Sequence, residues 1–577
     1  MTQDHPSALD LDDDQAQPEA AHSRTPPATG KPPRRFDGLR RHRRWLRALV
    51  VVALLGQMAL AMVTSAVEQT PTIDEPVYVG TAVVYVQQHS LRYNPEHPPL
   101  GKLIIATGPA LAHPHLDPAF VGNQGAVGRH LLYESGNDPW RVMLWARLPV
   151  IVLTLLFGLV VFAFARDLTS SVGGLAALAL YAFSPDIIAH GSLATLDVPM
   201  AGFLLTSVWL LWRARLRPRL YLPLAGVALG AAVSTKMSAL PAVPVLLLLV
   251  VLSVWYSRRT RGAGTRGRLR LLGLGMAAAV VVALVVVAVV WASYVAVDPR
   301  LRWAAPEGVP AAHGLRGFAA DWLPFPQPYR DGMRVQFAFE DTKWSGFLLG
   351  RHYRGSLWYY LPTALLIKTP LGMLALWLAG AVTVVTVPRL RPAAPYVLVP
   401  PAVLLVAALS GSRDFGVRYA IFLPMFLAVA AACLVVFRRR WAHALTAALV
   451  LFVAVSSLLT YPYYMPYSNE AFGGPSKTHL RLHDSNVDWG QDLGRLADRI
   501  RQRYPGEKVW LVYKGSGVPA FYGIDASDPR TVPPDRVHGL LVVSDSSIAK
   551  ADARLTALIE GSRPIEEIGH SITIFRR

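Results

Sequence analysis

Cysteine is all but missing from this chain: among 577 residues only Cys433 carries a thiol, and it lies inside an apolar run. No intrachain disulfide is possible, so any domain outside a membrane must be held by its core alone. Charge is scarce as well. Asp, Glu, Lys and Arg make up 16% of the residues against 53% hydrophobic ones, which excludes a string of ordinary soluble domains. Acid is the scarcer sign, with 38 Asp and Glu to 57 Lys and Arg and a formal net charge of +19. The arginines cluster between apolar runs, where retention of basic loops in the cytoplasm accounts for them, so nucleic acid is set aside as a partner. No repeat relates the two halves, which argues against a transporter of the repeated kind with its polar groups at the bilayer midplane.

What the chain has in quantity is long hydrophobic runs. Segments able to cross ~30 Å of hydrocarbon, about 20 residues each, fall near 48–67, 143–165, 171–188, 197–212, 220–235, 239–256, 271–296, 360–387, 395–411, 419–437 and 442–460. They predict an α-helical multi-pass membrane protein of about eleven spans. Residues 1–47 read as a disordered cytoplasmic tail ending in the basic juxtamembrane run "KPPRRFDGLRRHRRWLR". The first span then reads as an uncleaved signal anchor, because a cleavable signal would be shorter and nearer the N-terminus.

If that span runs outward, the loops alternate. Arg213, Arg215, Arg217 and Arg219, then Arg258, Arg259, Arg261, Arg266, Arg268 and Arg270, then Arg389 and Arg391, then Arg438 to Arg440, all fall inside. The N-terminus is expected in the cytoplasm and the C-terminus outside. Residues 48–460 form the expected membrane domain, with outer loops at about 68–142 and 297–358, and residues 461–577 an outer domain. In that tail "KVWLVYKG" and "GLLVVSD" read as buried strands, "GQDLGRLADRIRQRY" and "KADARLTALIEG" as amphipathic helices, and "SITIFRR" as a closing strand, predicting a small α/β domain. In "DSNVDWGQDL" the spacing of Asp484, Asn486 and Asp488 opens like a calcium loop, but Arg495 stands where the bidentate Glu is needed. Capping-box spacing of Asp488 and Gln491 is the better expectation.

The first outer loop opens with the carboxylate pair Asp74 and Glu75 of "TIDEPVYVG", placed to start a helix with Pro76 in its first turn. The run "VYVGTAVVYVQQHSL" follows as an expected interfacial helix, and then "PEHPPLGK", whose prolines hold the backbone extended. Cations are few on short outer loops, yet Lys102, Arg147, Lys236 and Arg418 stand at the outer ends of different spans. Four such cations can converge on an anion at the lipid boundary, and a phosphate is the obvious one.

The segments "DEPVYVG", "HPPLGK", "ARLPVIVL", "SPDIIAHGSLATLDVPMAGF", "STKMSALPAVP", "YYLPTALLIKTPLGML" and "VRYAIFLP", in this order, resemble the bacterial family 39 glycosyltransferases, relatives of the protein O-mannosyltransferases, over about residues 68–437. "DSNVDWGQDL" resembles a tail motif of bacterial members. The resemblance implies a GT-C fold in a bacterial cell membrane, a polyprenyl-monophosphate sugar as donor, and an active site on the outer face. By position, Asp74 matches the acidic residue proposed as general base and Glu75 its neighbour. Lys102 and Arg147 match cations near the lipid-linked phosphate, with His97 close by. Asp197 in "TLDVP" is also a family position, though it could equally cap the fourth span ahead of Pro199. Eukaryotic protein O-mannosyltransferases carry a β-trefoil insertion for which the second outer loop here has no room, and they lack this tail, so the acceptor stays open between protein, lipid and wall glycan.

The expected function is therefore an inverting transfer of mannose or a similar sugar from the lipid carrier to an acceptor hydroxyl, with Asp74 as base and the cations on the departing phosphate. The rival readings are a transporter or flippase of a lipid-linked sugar, and a membrane-anchored binding protein acting through its C-terminal domain. Glu96, His97, Asp74 and Glu75 are hard or borderline ligands in one loop, but their spacing fixes no site. No cofactor is assigned, and a divalent metal stays open.

Overall fold

Proline decides where the long apolar runs break. In the computed structural model, which describes residues 35–259, 265–305, 308–437 and 439–577, every expected membrane segment is helical. Most of the tail expected over 1–47, with Arg261 and Arg438 of the basic loops, lies outside the described residues. Contacts divide the chain into Met1–Ala48, described from Arg35 as helix, and Leu49–Arg577, which holds all that follows.

Among the described residues five helices are long and apolar enough to cross a membrane: Arg44–Glu68, Pro139–Leu168, Gly267–Val295, Arg391–Leu409 and Arg440–Thr460. Two further expected spans are bent pairs of helices. Ser171–Ala182 and Pro185–Gly191 meet at 63°, and Tyr360–Lys368 and Leu371–Thr386 at 117°. Pro185 and Pro370 stand at these breaks, where a missing N–H and the restriction on the preceding residue end a helix. The remaining expected spans are the helices Asp197–Ala214, Pro218–Thr235 and Ala242–Arg259, and Phe422–Ala431 continued as a 3-10 turn. The chain is a multi-pass membrane protein.

Between the first two spans lie the helices Glu75–Gln88, Pro99–Ala106 and Gln124–Arg129. The first corrects an expectation. It is packed inside the protein from Tyr78 through Tyr85, because apolar residues on every side of it leave no polar face for water, so it is not the two-faced helix expected from the sequence. Gly128 lets this helix start come close: a Cβ there would sit 2.1 Å from the carbonyl oxygen of Pro76. Farther along, the helices Gly314–Trp322 and Gln327–Asp341 precede a hairpin of β1 (Ser345–Leu348) and β2 (Arg351–Arg354). Gly332 brings the second helix against the proline loop, where a Cβ would lie 1.9 Å from the carbonyl of Pro95.

The tail carries a mixed five-stranded sheet in the order β4-β3-β5-β7-β6. Its strands are β3 (Val509–Val512), β4 (Ala526–Ser527), β5 (Leu540–Ser544), β6 (Arg563–Ile568) and β7 (Ile572–Arg576). Alternation divides the side chains of β5 between two cores. Leu540 and Val542 pack with Leu493 and Leu496 of the helix Leu493–Arg503, while Leu541 and Val543 pack with Leu555 and Leu558 of the helix Ala553–Glu560. The expected capping box is absent: Asp488 accepts from Gly490 N and Ser546 N, and Gln491 accepts from Trp489 N, so neither caps the helix that begins at Leu493.

Candidate active site

Two consecutive acids at a helix start point about 100° apart, and here the difference sends them to separate partners. Glu75 turns inward. Its carboxylate takes Arg147 Nε at 2.7 Å and Nη2 at 2.7 Å, and also accepts from Thr72 N at 2.9 Å and Ala194 N at 2.8 Å. Burial alone would push the Glu75 carboxyl up, but the Arg147 charge and these hydrogen bonds prevail and hold it below the usual range. Arg147 spends its remaining donors on the carbonyls of Ala66, Gln69 and Thr70, and is fully buried.

Asp74 faces the other way. It occupies the N-cap position but makes no side-chain cap, and its Oδ2 instead accepts from Arg418 Nη1 at 2.6 Å. Two cavities meet on this pair. One, of about 610 Å³, is polar where Asp74, His97, Lys236, Arg413 and Arg418 line it, and apolar along Met200, Leu240, Val286, Phe337, Leu404 and Phe422. The other, of about 420 Å³, shares Asp74, His97, Arg413 and Arg418 but is bounded by Asp484, Trp489, Lys514 and Lys550 of the tail.

Three cations of the larger cavity gather on one ring. Lys236, Arg418 and Arg413 lie 5.5, 5.1 and 6.0 Å from the centre of Tyr419. Each has one carboxylate: Lys236 has Asp197 at 2.6 Å, Arg418 has Asp74 and Arg413 has Glu340 at 2.5 Å. Arg418 Nε and His97 Nδ1 are buried without a hydrogen-bond partner. Burial holds the His97 imidazole neutral, well below its ordinary value, and the charges of Lys236, Lys102, Arg413 and Arg418 push it the same way.

The expected constellation is thus split. Asp74, His97, Lys236 and Arg418 come together, with Asp197 behind Lys236. Asp197 is the first residue of its helix and pairs with that lysine instead of capping. Lys102 and Arg147 line neither cavity. Lys102 is fully buried and donates to Asn94 O, Asn94 Oδ1 and His97 O at 2.8, 3.1 and 2.7 Å, pinning the proline loop from within. Burial lowers its ammonium to about 7. Of the loop residues that could have held a metal, Glu75 is taken by Arg147 and Glu96 accepts from Gln124 at 2.8 Å.

The tail motif reaches into the same place. Thr70 N and Ile73 N donate to Gln491 O and Trp489 O, both at 3.0 Å, so the strand-like approach to Asp74 is laid along the motif. Asn486 Oδ1 accepts from Val417 N at 3.0 Å and Ser485 Oγ donates to Phe415 O at 2.6 Å. The turn bearing Arg418 is held by the same ten residues. Trp489 itself lies under the Arg418 guanidinium at 4.3 Å. Lys368 Nζ, in the second bent span, donates to Asn486 O at 2.9 Å and lies 3.5 Å from Asp186 of the first. Sequence reasoning passed over Tyr419, Trp489, Lys368 and Lys514. Their one available signal was a polar or aromatic residue inside a motif already singled out.

Residues 53–298 match the family model described as dolichyl-phosphate-mannose-protein mannosyltransferase. A comparison with curated proteins returns no match. Among solved structures, ArnT from Cupriavidus metallidurans bound to undecaprenyl phosphate is 15% identical, the match covering 91% of this chain and 97% of that one at a TM-score of 0.44. The S. cerevisiae protein O-mannosyltransferase Pmt1-Pmt2 complex bound to the sugar donor is 16% identical, covering 53% and 39% at 0.35. The Archaeoglobus fulgidus oligosaccharyltransferase AglB, in complex with an inhibitory peptide and a dolichol-phosphate, is 12% identical, covering 89% and 72% at 0.44. The matched residues 53–298 are thus similar to the mannosyltransferase family's domain, over fewer than half of the 577 residues.

Proposed function

We propose that the protein is a glycosyltransferase that moves a sugar from a polyprenyl-monophosphate carrier to an acceptor hydroxyl on the extracytoplasmic face, with inversion at the anomeric carbon. The observation that carries the reading is the place of Asp74, on the wall shared by a greasy cavity with a cationic end and a polar cavity bounded by the tail. The first has the chemistry of a prenyl chain ending in phosphate, which the family's name also suggests. The second has room for an acceptor. Mannose is the sugar that the family's name favours.

A phosphate ester is already a competent leaving group, so one base suffices where a glycoside hydrolase needs two carboxyl groups. Asp74 takes the proton of the acceptor hydroxyl, and the oxygen forms a bond to C1. The bond from C1 to the phosphate oxygen breaks on the opposite face, and its electron pair leaves with the phosphate. Arg418 and Lys236 meet the charge that develops there, with Arg413 beside them, in a site poor in water. In the resting protein Arg418 holds Asp74. An arriving phosphate draws the guanidinium to itself and frees the carboxylate for the hydroxyl. Glu75, Arg147 and Lys102 are positioning residues in this scheme, and Asp197 orients Lys236. The basic loops favour a cytoplasmic N-terminus and an external tail.

The test is to incubate membranes with labelled polyprenyl-phosphate mannose and with other polyprenyl-phosphate sugars, and to ask whether protein, lipid or wall glycan gains label. Wild type is expected to transfer label and Asp74→Asn to fail. Transfer by Asp74→Asn at the wild-type rate would remove the base from the scheme.

A further inference from the structure

We propose a second site in the tail, distant in chemistry from the sugar transfer: a divalent metal held by His479, Asp545 and Glu567. His479 lies in the 3-10 turn Pro475–Leu480, Asp545 directly follows β5 and Glu567 is on β6. Strand β7 brings the two acids together, because its Thr573 pairs with Val543 on one side and with Glu567 on the other. His479 Nδ1 stands 3.9 Å from Asp545 Oδ2 and 3.7 Å from Glu567 Oε1, and the three atoms lie within 4.8 Å of one another.

All three atoms are buried, and none has a hydrogen-bond partner. Asp545 is 2% exposed, so its bare Oδ2 cannot be excused by water at the surface, and an unpaired buried oxygen is costly. Each acid meanwhile uses its other oxygen on a neighbour. Thr573 Oγ1 donates to Asp545 Oδ1 at 2.8 Å, and His570 Nδ1 lies 3.2 Å from Glu567 Oε2. These contacts fix the carboxylates with one oxygen turned to the shared centre, as groups behind a metal ligand do.

A protonated His479 does not resolve the arrangement. Separations of 3.7 and 3.9 Å are too long for hydrogen bonds, and they suit the edges of a coordination shell with bonds of roughly 2.0–2.4 Å. The charged groups that bear on the Asp545 carboxyl are acidic, namely Asp488, Glu567 and Asp492. One imidazole nitrogen with two carboxylate oxygens selects a borderline ion such as Zn²⁺ over Mg²⁺ or Ca²⁺. The side chains of His479 and Glu567 are 23% and 27% exposed, which gives the ion an entry and a water in its remaining position. Bound there, it ties the turn that follows the last span to the sheet.

The full chain, purified in detergent through a tag without histidine, is stripped with EDTA, dialysed and loaded with Zn²⁺. Metal content, zinc titration calorimetry and the melting temperature are then read for wild type, His479→Ala and Glu567→Gln. Wild type is expected to hold one zinc per chain and to melt higher with it. Each variant is expected to bind at least tenfold more weakly and to melt alike with and without zinc. Two variants guard against one failing to fold, and each must match stripped wild type in elution and circular dichroism. Equal zinc in wild type and in a folded variant, or a wild-type melting temperature indifferent to zinc, would overturn the site.

Discussion

Glu75 and Arg147 form a fully buried, two-pronged ion pair, with both contacts at 2.7 Å, one residue away from an acid that faces a cavity. The pair joins the helix start that carries Asp74 to the second long span and to the end of the first. Removing one member leaves the other buried and unpaired, at about 3–5 kcal/mol. Glu75→Gln is expected to lower yield and melting temperature sharply. A variant as stable as wild type would deny the pair this role.

The same pair gives a pH dependence. The folded Glu75 carboxyl titrates below its ordinary value of 4.5, so its stabilisation is fully present above that value and is lost as pH falls through the lower, folded one. Melting of the detergent-solubilised protein between pH 7 and pH 3 is expected to show a loss that Glu75→Gln no longer shows.

Asp74→Asn keeps size and shape while removing the proposed base. Its transfer rate is expected to fall by roughly 10²–10⁴, with donor binding retained. Arg418→Ala is expected to weaken donor binding as well, because the proposed scheme gives its guanidinium to the phosphate. Steady-state rates beside binding of the lipid donor distinguish the two.

Lys102→Met removes the ammonium that three oxygens of the proline loop share. Stability is expected to drop by about 1–3 kcal/mol, the cost of leaving such acceptors unmet. Affinity for the carrier phosphate is expected to hold. A large loss of donor affinity with normal melting would return Lys102 to the phosphate.

Orientation has a direct check. Asp535 is exposed in the tail, and the native Cys433 is fully buried. Asp535→Cys is expected to react with an impermeant maleimide added to intact cells. Reaction only after the cells are broken would put the tail inside.

Much of this was legible in the sequence, for one physical reason: a charge costs so much beside lipid that each exception stands out. Asp74, His97, Lys236 and Arg418 stood out in that way and meet at one cavity. Lys102 and Arg147 stood out equally, yet they serve carbonyls and a carboxylate inside the protein. A cation's anomaly does not say which way it points, because that depends on partners far along the chain. Arg418 and Asp74 are 344 residues apart. The strands β3, β5 and β7 and both tail helices were readable from alternation and period, whereas β6, charged and half exposed, carried no apolar signal. The use of "DSNVDWGQDL" was also hidden, since its backbone, not its side-chain pattern, grips the approach to Asp74.

A single carboxylate standing between two chambers has a kinetic corollary. Under the proposed scheme donor and acceptor occupy their chambers at the same moment for the proton and the sugar to change hands, and no glycosylated enzyme is expected to accumulate. Initial-rate plots varied in both substrates should intersect, and neither substrate alone should be turned over.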